Sequence, residues 1–275
     1  MSAKPAPKPS VTAQPWARLG RYTAARIGLG RAGASVPTTA HLAFQQAHAE
    51  ARDAVHTPLD AEALLAGLRA LGEAPLQVHS QADHRARYLQ RPDLGRALDA
   101  ASAALLDAQA APQTDDAPDL AFVLADGLSA LALQRQALPL FAALRERLLA
   151  EGGWHWAPPV LAVQARVAIG DEIGARLKAR CVVVLIGERP GLSAPDSLGI
   201  YFSWAPRVGL VDAERNCISN VRPEGLPPPA AAAKLHALLR EARRRQLSGV
   251  ALKDEQDERA LAPAEPAALM RLLTG

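Results

Sequence analysis

The sequence predicts an α/β protein: a small helical N-terminal unit followed by a layered α/β domain with a mostly parallel sheet. Three observations predict it. Short apolar, β-branched runs recur between Ala-rich helical stretches from Ala74 onward, the alternation that builds a sheet covered by helices. The run Cys181-Val-Val-Val-Leu-Ile186 is apolar at every position, so both its faces must be buried, as in the centre of a parallel sheet. The 275 residues are 49% hydrophobic but only 4% aromatic, so the core must be built from Ala, Leu and Val, and alanine at this level favours helix.

Each element follows from local chemistry. Residues 38–56 contain neither Gly nor Pro and are rich in Ala; Pro37 suits the first turn of a helix and Pro58 stops it. A second helix starts after Asp60, a good N-cap, presents Leu64, Leu65, Leu68 and Leu71 on one face, and stops before Gly72. Residues 76–78 read as a short strand. Ser80 with Asp83 three residues on has capping-box spacing and predicts a helix that Pro92-Asp93 interrupts. A further helix is expected over 94–110, a polar loop over 112–118, and a buried strand over 120–124 closed by Asp126-Gly127. Residues 129–149 are helical with a kink or split at Pro139. Strands then follow over 160–163, 181–186, 200–204 and 218–221, with a short helix over 171–179 and a long one over 230–245. The chain thus divides into a leader over 1–15, a helical unit over 16–73 and a Rossmann-like α/β domain over 74–275.

Composition narrows the function classes. Lys and Arg number 31 against 28 Asp and Glu, a formal charge of +3, which gives no support for a nucleic-acid or membrane-surface partner. No apolar run approaches the roughly 20 residues of a membrane span. Two cysteines, Cys181 and Cys217, make neither a zinc spacing nor a disulfide framework and fit a reducing, cytoplasmic setting. The Pro- and Lys-rich leader lacks the apolar stretch of a secretory signal.

Several motifs invite a function and most are better read as structure. Gly28-Leu-Gly30-Arg-Ala-Gly33 matches GxGxxG and Asp53 lies twenty residues on. The dinucleotide reading needs a strand before the glycines and another ending at the acid, and here Asp53 sits inside a helix pattern. A Gly-rich turn docking on its neighbours is the better reading. His48 and His56 are eight residues apart on one helix, two turns, which is too far to share one ion. Trp154-His155-Trp156 reads as a packed loop, Cys181 as core, and Arg243-Arg244-Arg245 as a solvated helix end that complements the helix dipole. There is no GxSxG, and no catalytic residue or metal ligand is assigned. The strongest local signal is Gly187-Glu188-Arg189-Pro190-Gly191. It follows the central strand, where open α/β sheets bind ligands; a structural ion pair or turn is the competing reading. A second polar-rich stretch runs from Asp212 to Ser219.

The segments RYTAARIGLGRAGAS (21–35), HAEARDAVHTPLD (48–60), YLQRPDLGR (88–96), VVVLIGERPGLSAPDSLG (182–199), ERNCISNVRPEG (214–225) and SGVALKDE (248–255) together resemble the small (light) subunit of ethanolamine ammonia-lyase, in that family's order and roughly its spacing. The resemblance implies a subunit of an ammonia lyase that converts ethanolamine to acetaldehyde and ammonia by a radical mechanism. Its cofactor would be adenosylcobalamin, whose cobalt–carbon bond breaks homolytically to supply a deoxyadenosyl radical. The partner would be a large TIM-barrel subunit carrying the radical chemistry, in a hetero-oligomer of large–small pairs with the corrin between them. No nucleic-acid or membrane partner is implied. The alternative is a scaffold subunit that stabilises the large one without contributing cofactor affinity.

Three cofactor-binding residues carry over by motif: Val167 in RVAIGDEIG, Glu188 in GERPG and Cys217 in RNCIS. An ionised Glu188 would accept hydrogen bonds from the amide groups of the corrin rim. Val167 would offer backbone groups and an apolar wall, and Cys217 a small, soft packing surface. The chain has no Asp-x-His-x-x-Gly segment, in keeping with a cobalamin that retains its own dimethylbenzimidazole on cobalt, as the resemblance implies. The family often resides in a bacterial microcompartment. The leader, with Pro5, Pro7, Pro9 and Pro15, does not read as the amphipathic helix such targeting uses, so a cytoplasmic location is expected, with the microcompartment as the alternative.

Overall fold

The computed structural model describes residues 11–110 and 117–253. Most of the expected leader (1–10), the centre of the polar loop (111–116) and the end of the chain (254–275) lie outside the described residues.

The chain begins with an arm in which a 3-10 turn, Pro15–Tyr22, precedes the Gly-rich loop. Gly28 and Gly30 adopt positive φ, +62° and +80°, and fold the loop back onto Ala17 and Thr12, with Thr12 and Arg31 exchanging backbone hydrogen bonds. Among the described residues no strand precedes these glycines, as the turn reading expects. Helix α1, Thr38–His56, buries only the stripe Ala47, Ala51 and Ala54. Helix α2, Ala61–Ala70, is capped by Asp60, whose side chain accepts from the Ala63 amide at 3.0 Å.

The sheet then starts with β1, Leu76–His79, followed by α3, Arg85–Gln90, and α4, Ala100–Gln109. Here the local reading needs two corrections. Ser80 does not cap α3, which begins after His84. Its hydroxyl instead donates to the Gln164 carbonyl at 2.7 Å and ties the end of β1 to the loop after the neighbouring strand. The helix expected over 94–110 is broken into a 3-10 turn, Leu94–Arg96, and α4. Leu98 bridges Ser80 in extended conformation, and Asp99 restarts the helix by accepting from the Ser102 amide at 2.7 Å.

Strand β2, Leu120–Ala125, leads into α5, Ala130–Glu151, capped by Ser129. Pro139 lies inside α5 without splitting it. It sits on the exposed side of the helix, where water can satisfy the carbonyl left without a donor. Strand β3, Val160–Val163, helix α6, Ile169–Arg176, and strand β4, Cys181–Gly187, follow. The chain then forms β5, Leu198–Trp204, β6, Asn216–Val221, and α7, Pro228–Arg245.

The six strands lie in the order β1-β3-β2-β4-β5-β6. Pairing is parallel from β1 through β4 and antiparallel from β4 to β6. Strand β4 is buried throughout, as its sequence requires, but it borders the parallel part instead of lying within it. The connection from β4 to β5 is too short for a crossover helix and forces a hairpin.

Side chains alternate between two cores. Leu120, Phe122, Val183, Leu185, Ile200 and Phe202 pack under α2, α5 and α7, with Phe122 edge-on to Phe141 at 5.2 Å. Ala121, Val123, Val182, Val184 and Ile186 pack under α4 and α6. Each fully buried Val, Leu or Ile here contributes about 1.5–3 kcal/mol relative to exposure. Among the described residues the second helical layer stops at β4: the opposite side chains of β5 and β6 include half-buried Tyr201 and exposed Cys217. No helix among the described residues is long and apolar enough to cross a membrane.

Candidate functional site

The parallel topology places a crevice. Strand β2 continues into α5 on one face of the sheet, and its neighbour β3 continues into α6 on the other. Adjacent strands whose connections diverge in this way leave a cleft outside their carboxyl ends. The cleft has a volume of about 390 Å³ and is lined by Tyr88, Gly127, Arg166, Val167, Glu188, Arg189 and Tyr201. A second opening of about 440 Å³ adjoins it through Arg166, Val167 and Tyr201 and extends to Arg96, Asp212 and Arg215.

Buried polar groups hold this rim. Asp126, at the end of β2, accepts from the Gln164 and Ala165 amides at 3.0 and 2.8 Å and so fixes the loop that carries Val167. Burial pushes its carboxyl above the ordinary value, against the pull of the Ala165 amide, Arg85 and the Gln164 amide. Tyr88 is clamped between two guanidiniums, with Arg85 4.8 Å and Arg166 4.4 Å from its ring centroid. Its hydroxyl donates to the Ala165 carbonyl at 3.1 Å, and burial pushes the phenol up to about 12, so it stays a donor. Gly127 and Gly187 leave no room for a side chain: a Cβ on either would collide with a carbonyl of the other turn, Gly187 and Ser129 respectively. Two strand ends can therefore approach closely at the cleft floor.

Glu188 leaves β4 half-buried. Its Oε2 accepts from the Ser197 hydroxyl at 2.5 Å and from the Asn220 amide at 3.4 Å. Oε1 takes no hydrogen bond among the described residues. Cys217 lies on β6 opposite Tyr201 of β5. Although the residue is exposed at the strand edge, its thiol lies against Tyr201 and is partly desolvated there, which pushes it up; a hydrogen bond from Tyr201 opposes this and the charge of Glu188 adds to it. The thiol is neutral near pH 7. Burial likewise pushes the Tyr201 phenol up, with Cys217 and Glu188 adding to the effect.

Val167 and Glu188 thus meet in one cleft, and Cys217 stands beside it, in contact with the lining residue Tyr201. Cys181 is buried in the core, where burial pushes its thiol up. His48 lies exposed beside Phe44 on α1. Trp156 is packed, its indole donating to Glu73 at 3.1 Å. The basic end of α7 is less solvated than its sequence suggests, because Arg243 stacks on Trp154 at 4.5 Å. Asp126, Tyr88 and Arg166 were not singled out by sequence. Asp126 carried one signal, an acid directly after a fully apolar strand, but a turn-closing Asp looks the same.

A doubly wound sheet with a polar-rimmed crevice at its switch point and an open antiparallel edge defines an α/β protein with a candidate ligand cleft. Residues 13–253 match the family model of the ethanolamine ammonia-lyase light chain (EutC). The chain is 62% identical over 245 residues to the ethanolamine ammonia-lyase small subunit of Ralstonia nicotianae, covering 89% of this chain and 90% of that one. It is 62% identical over 246 residues to that of Azotobacter vinelandii, covering 90% of each, and 60% identical over 247 residues to one from Pseudomonas aeruginosa, again covering 90% of each. The chain belongs to the ethanolamine ammonia-lyase light-chain family.

Proposed function

We propose that this chain is the small subunit of an adenosylcobalamin-dependent ethanolamine ammonia-lyase, a complex that converts ethanolamine to acetaldehyde and ammonia. In this reading it holds the corrin against a large TIM-barrel subunit, in a hetero-oligomer of large–small pairs. The observation that carries the reading is the cleft at the ends of β2, β3 and β4, where Val167 and Glu188 converge with Cys217 alongside. When bound, the cofactor supplies the radical chemistry by homolysis of its cobalt–carbon bond, and that chemistry is assigned to the large subunit.

The donor set fits a corrin. The rim of that ring carries neutral amides, which need acceptors for their NH2 groups and donors for their carbonyls. Glu188 presents Oε1 as a charged acceptor, held in place by Ser197 and Asn220 through Oε2. Arg166 lines the cleft with its guanidinium stacked on Tyr88 and donating to the Tyr88 carbonyl at 3.4 Å, which places a positive charge beside the carbonyls of the rim. Val167 supplies an apolar wall on a loop that Asp126 immobilises. Neutral Cys217 and Tyr201 form a flat, weakly polar surface on the uncovered strands, suited to the broad face of a macrocycle. None of these residues transfers a proton; their task is to bind and orient.

The scaffold alternative draws on the apolar arm, where Trp16 and Tyr22 are 54% and 63% exposed, a surface that suits subunit contact without any cofactor. The two readings part at Glu188. In the co-purified complex, Glu188→Ala should weaken cobalamin binding by about tenfold, the effect of losing one hydrogen bond to a charged group, with the complex still assembled. Equilibrium dialysis with hydroxocobalamin measures this. Unchanged affinity in an intact complex would leave the scaffold reading standing.

A further inference from the structure

Helix α7 ends at the pole of the sheet opposite the cleft, beside the start of β2, where Arg243 reaches Asp119 at 3.7 Å. An opening of about 550 Å³ lies there, between the last turns of α7, the end of α5 and the segment that follows α7. Its wall carries five cationic side chains, Arg240, Arg243, Arg244, Arg245 and Lys253, against two carboxylates, Glu151 and Glu241, an excess of three positive charges. That excess outweighs the partial negative charge of a helix C-terminus, about half a charge. The cations are fixed and still accessible. Arg243 lies over Trp154, 4.5 Å from the ring centroid, and donates to the Gly153 carbonyl at 2.9 Å, yet its side chain is 39% exposed. Arg240 is anchored through Nε to Glu151 at 3.2 Å with its side chain 63% exposed. Arg244 and Arg245 both reach Glu241. The two carboxylates therefore hold the guanidiniums in place without neutralising the wall. A solvated helix end requires neither a concave wall nor anchored side chains. Oriented guanidiniums in excess of their countercharge are the recognition chemistry of an oxyanion.

We infer that this opening binds a compact multivalent oxyanion of the oligophosphate kind. Arg240 and Arg244 are one helical turn apart, about 6 Å along the axis, a spacing suited to successive phosphates. Lys253 closes the opening from the segment after α7, so a bound phosphate chain joins that segment to the helix. The inference stands apart from the cofactor reading, because no residue that lines this opening lines the cleft.

The test uses the co-purified complex of both subunits, with inorganic tripolyphosphate as the probe, read by isothermal titration calorimetry at low salt. The wild type should bind the probe saturably, about tenfold more tightly than orthophosphate, and binding should weaken with added salt. Arg240→Gln and Lys253→Gln, both at exposed positions, should each weaken it about five- to tenfold, the effect of losing one charge-assisted contact partly screened by solvent. Neither should change the melting temperature without the probe. Arg240→Lys, which keeps the charge, should retain part of the affinity. Binding on the large subunit would be indifferent to these substitutions, so saturable binding that neither weakens would overturn the inference. No saturable binding in the wild type, or equal affinity for orthophosphate, would overturn it as well.

Discussion

Asp126 sits beneath the cleft without lining it, and its influence is on geometry: two amides of the β3–α6 loop depend on it. Its carboxyl is raised by burial. A folded-state pKa above the unfolded one means that the native protein holds the proton more tightly. The contribution to stability is then full below the unfolded value, about 4, and is lost as pH rises through the folded value. Asp126→Asn cannot ionise. The stability of the wild type relative to this variant should therefore fall as pH is raised from about 4, in urea unfolding at stepped pH. A difference that stays constant would mean that Arg85 and the two amides fully offset the burial. Tyr88 and Arg166 act in the same positioning role, since the guanidinium–phenol stack sets where the Arg166 donors point.

At the scale of elements, helix α5 is the main support of the sheet's first face, and it tolerates a proline at its centre. Pro139 removes one backbone hydrogen bond and crowds the preceding turn, which in a helix interior costs about 3 kcal/mol. Because it lies on the exposed side, water offsets part of this. Pro139→Ala should stabilise the protein by about 1–2 kcal/mol, read as a higher urea midpoint at unchanged m-value. A neutral or destabilising result would indicate that the helix curves around the core because of this residue. The antiparallel pair β5–β6 shows a different compromise. One face buries Leu198, Ile200, Phe202 and Ile218, and the other is left to Tyr201 and Cys217, so one hairpin serves the core on one side and the rim of the candidate cleft on the other.

For the whole molecule, the exposed apolar groups concentrate in the N-terminal third, including Trp16, Tyr22, Leu29, Leu42 and Phe44. The arm is tied to the loop after the cleft, with Arg26 donating to the Leu192 carbonyl at 3.1 Å and to the Ser193 hydroxyl at 3.3 Å. Exposed apolar surface of this extent marks an interaction face. The chain expressed alone should self-associate at micromolar concentration, and co-expression with a large subunit should yield a discrete complex on size exclusion. A monodisperse, soluble monomer would count against an obligate interface.

Much of this protein follows from the sequence alone, because the signals are local. Apolar strands, the Asp60 cap and the punctuated helices depend on neighbours within a few residues, and α1 and all six strands stand where the pattern puts them. The family likewise rests on contiguous blocks. The expected cofactor residues Val167, Glu188 and Cys217 are legible only one segment at a time. Tertiary structure alone decided how those segments meet. Ser80 turned from a helix cap to a tie across the sheet, the 94–110 helix broke where Leu98 had to bridge Ser80, and Asp126 became the clasp of the β3–α6 loop. It also brought Arg96, Arg166 and Arg215 to one rim. Those outcomes depend on partners dozens of residues away, and the free energy of a buried hydrogen bond or an unpaired guanidinium is set by what the fold places opposite it, which no local pattern encodes.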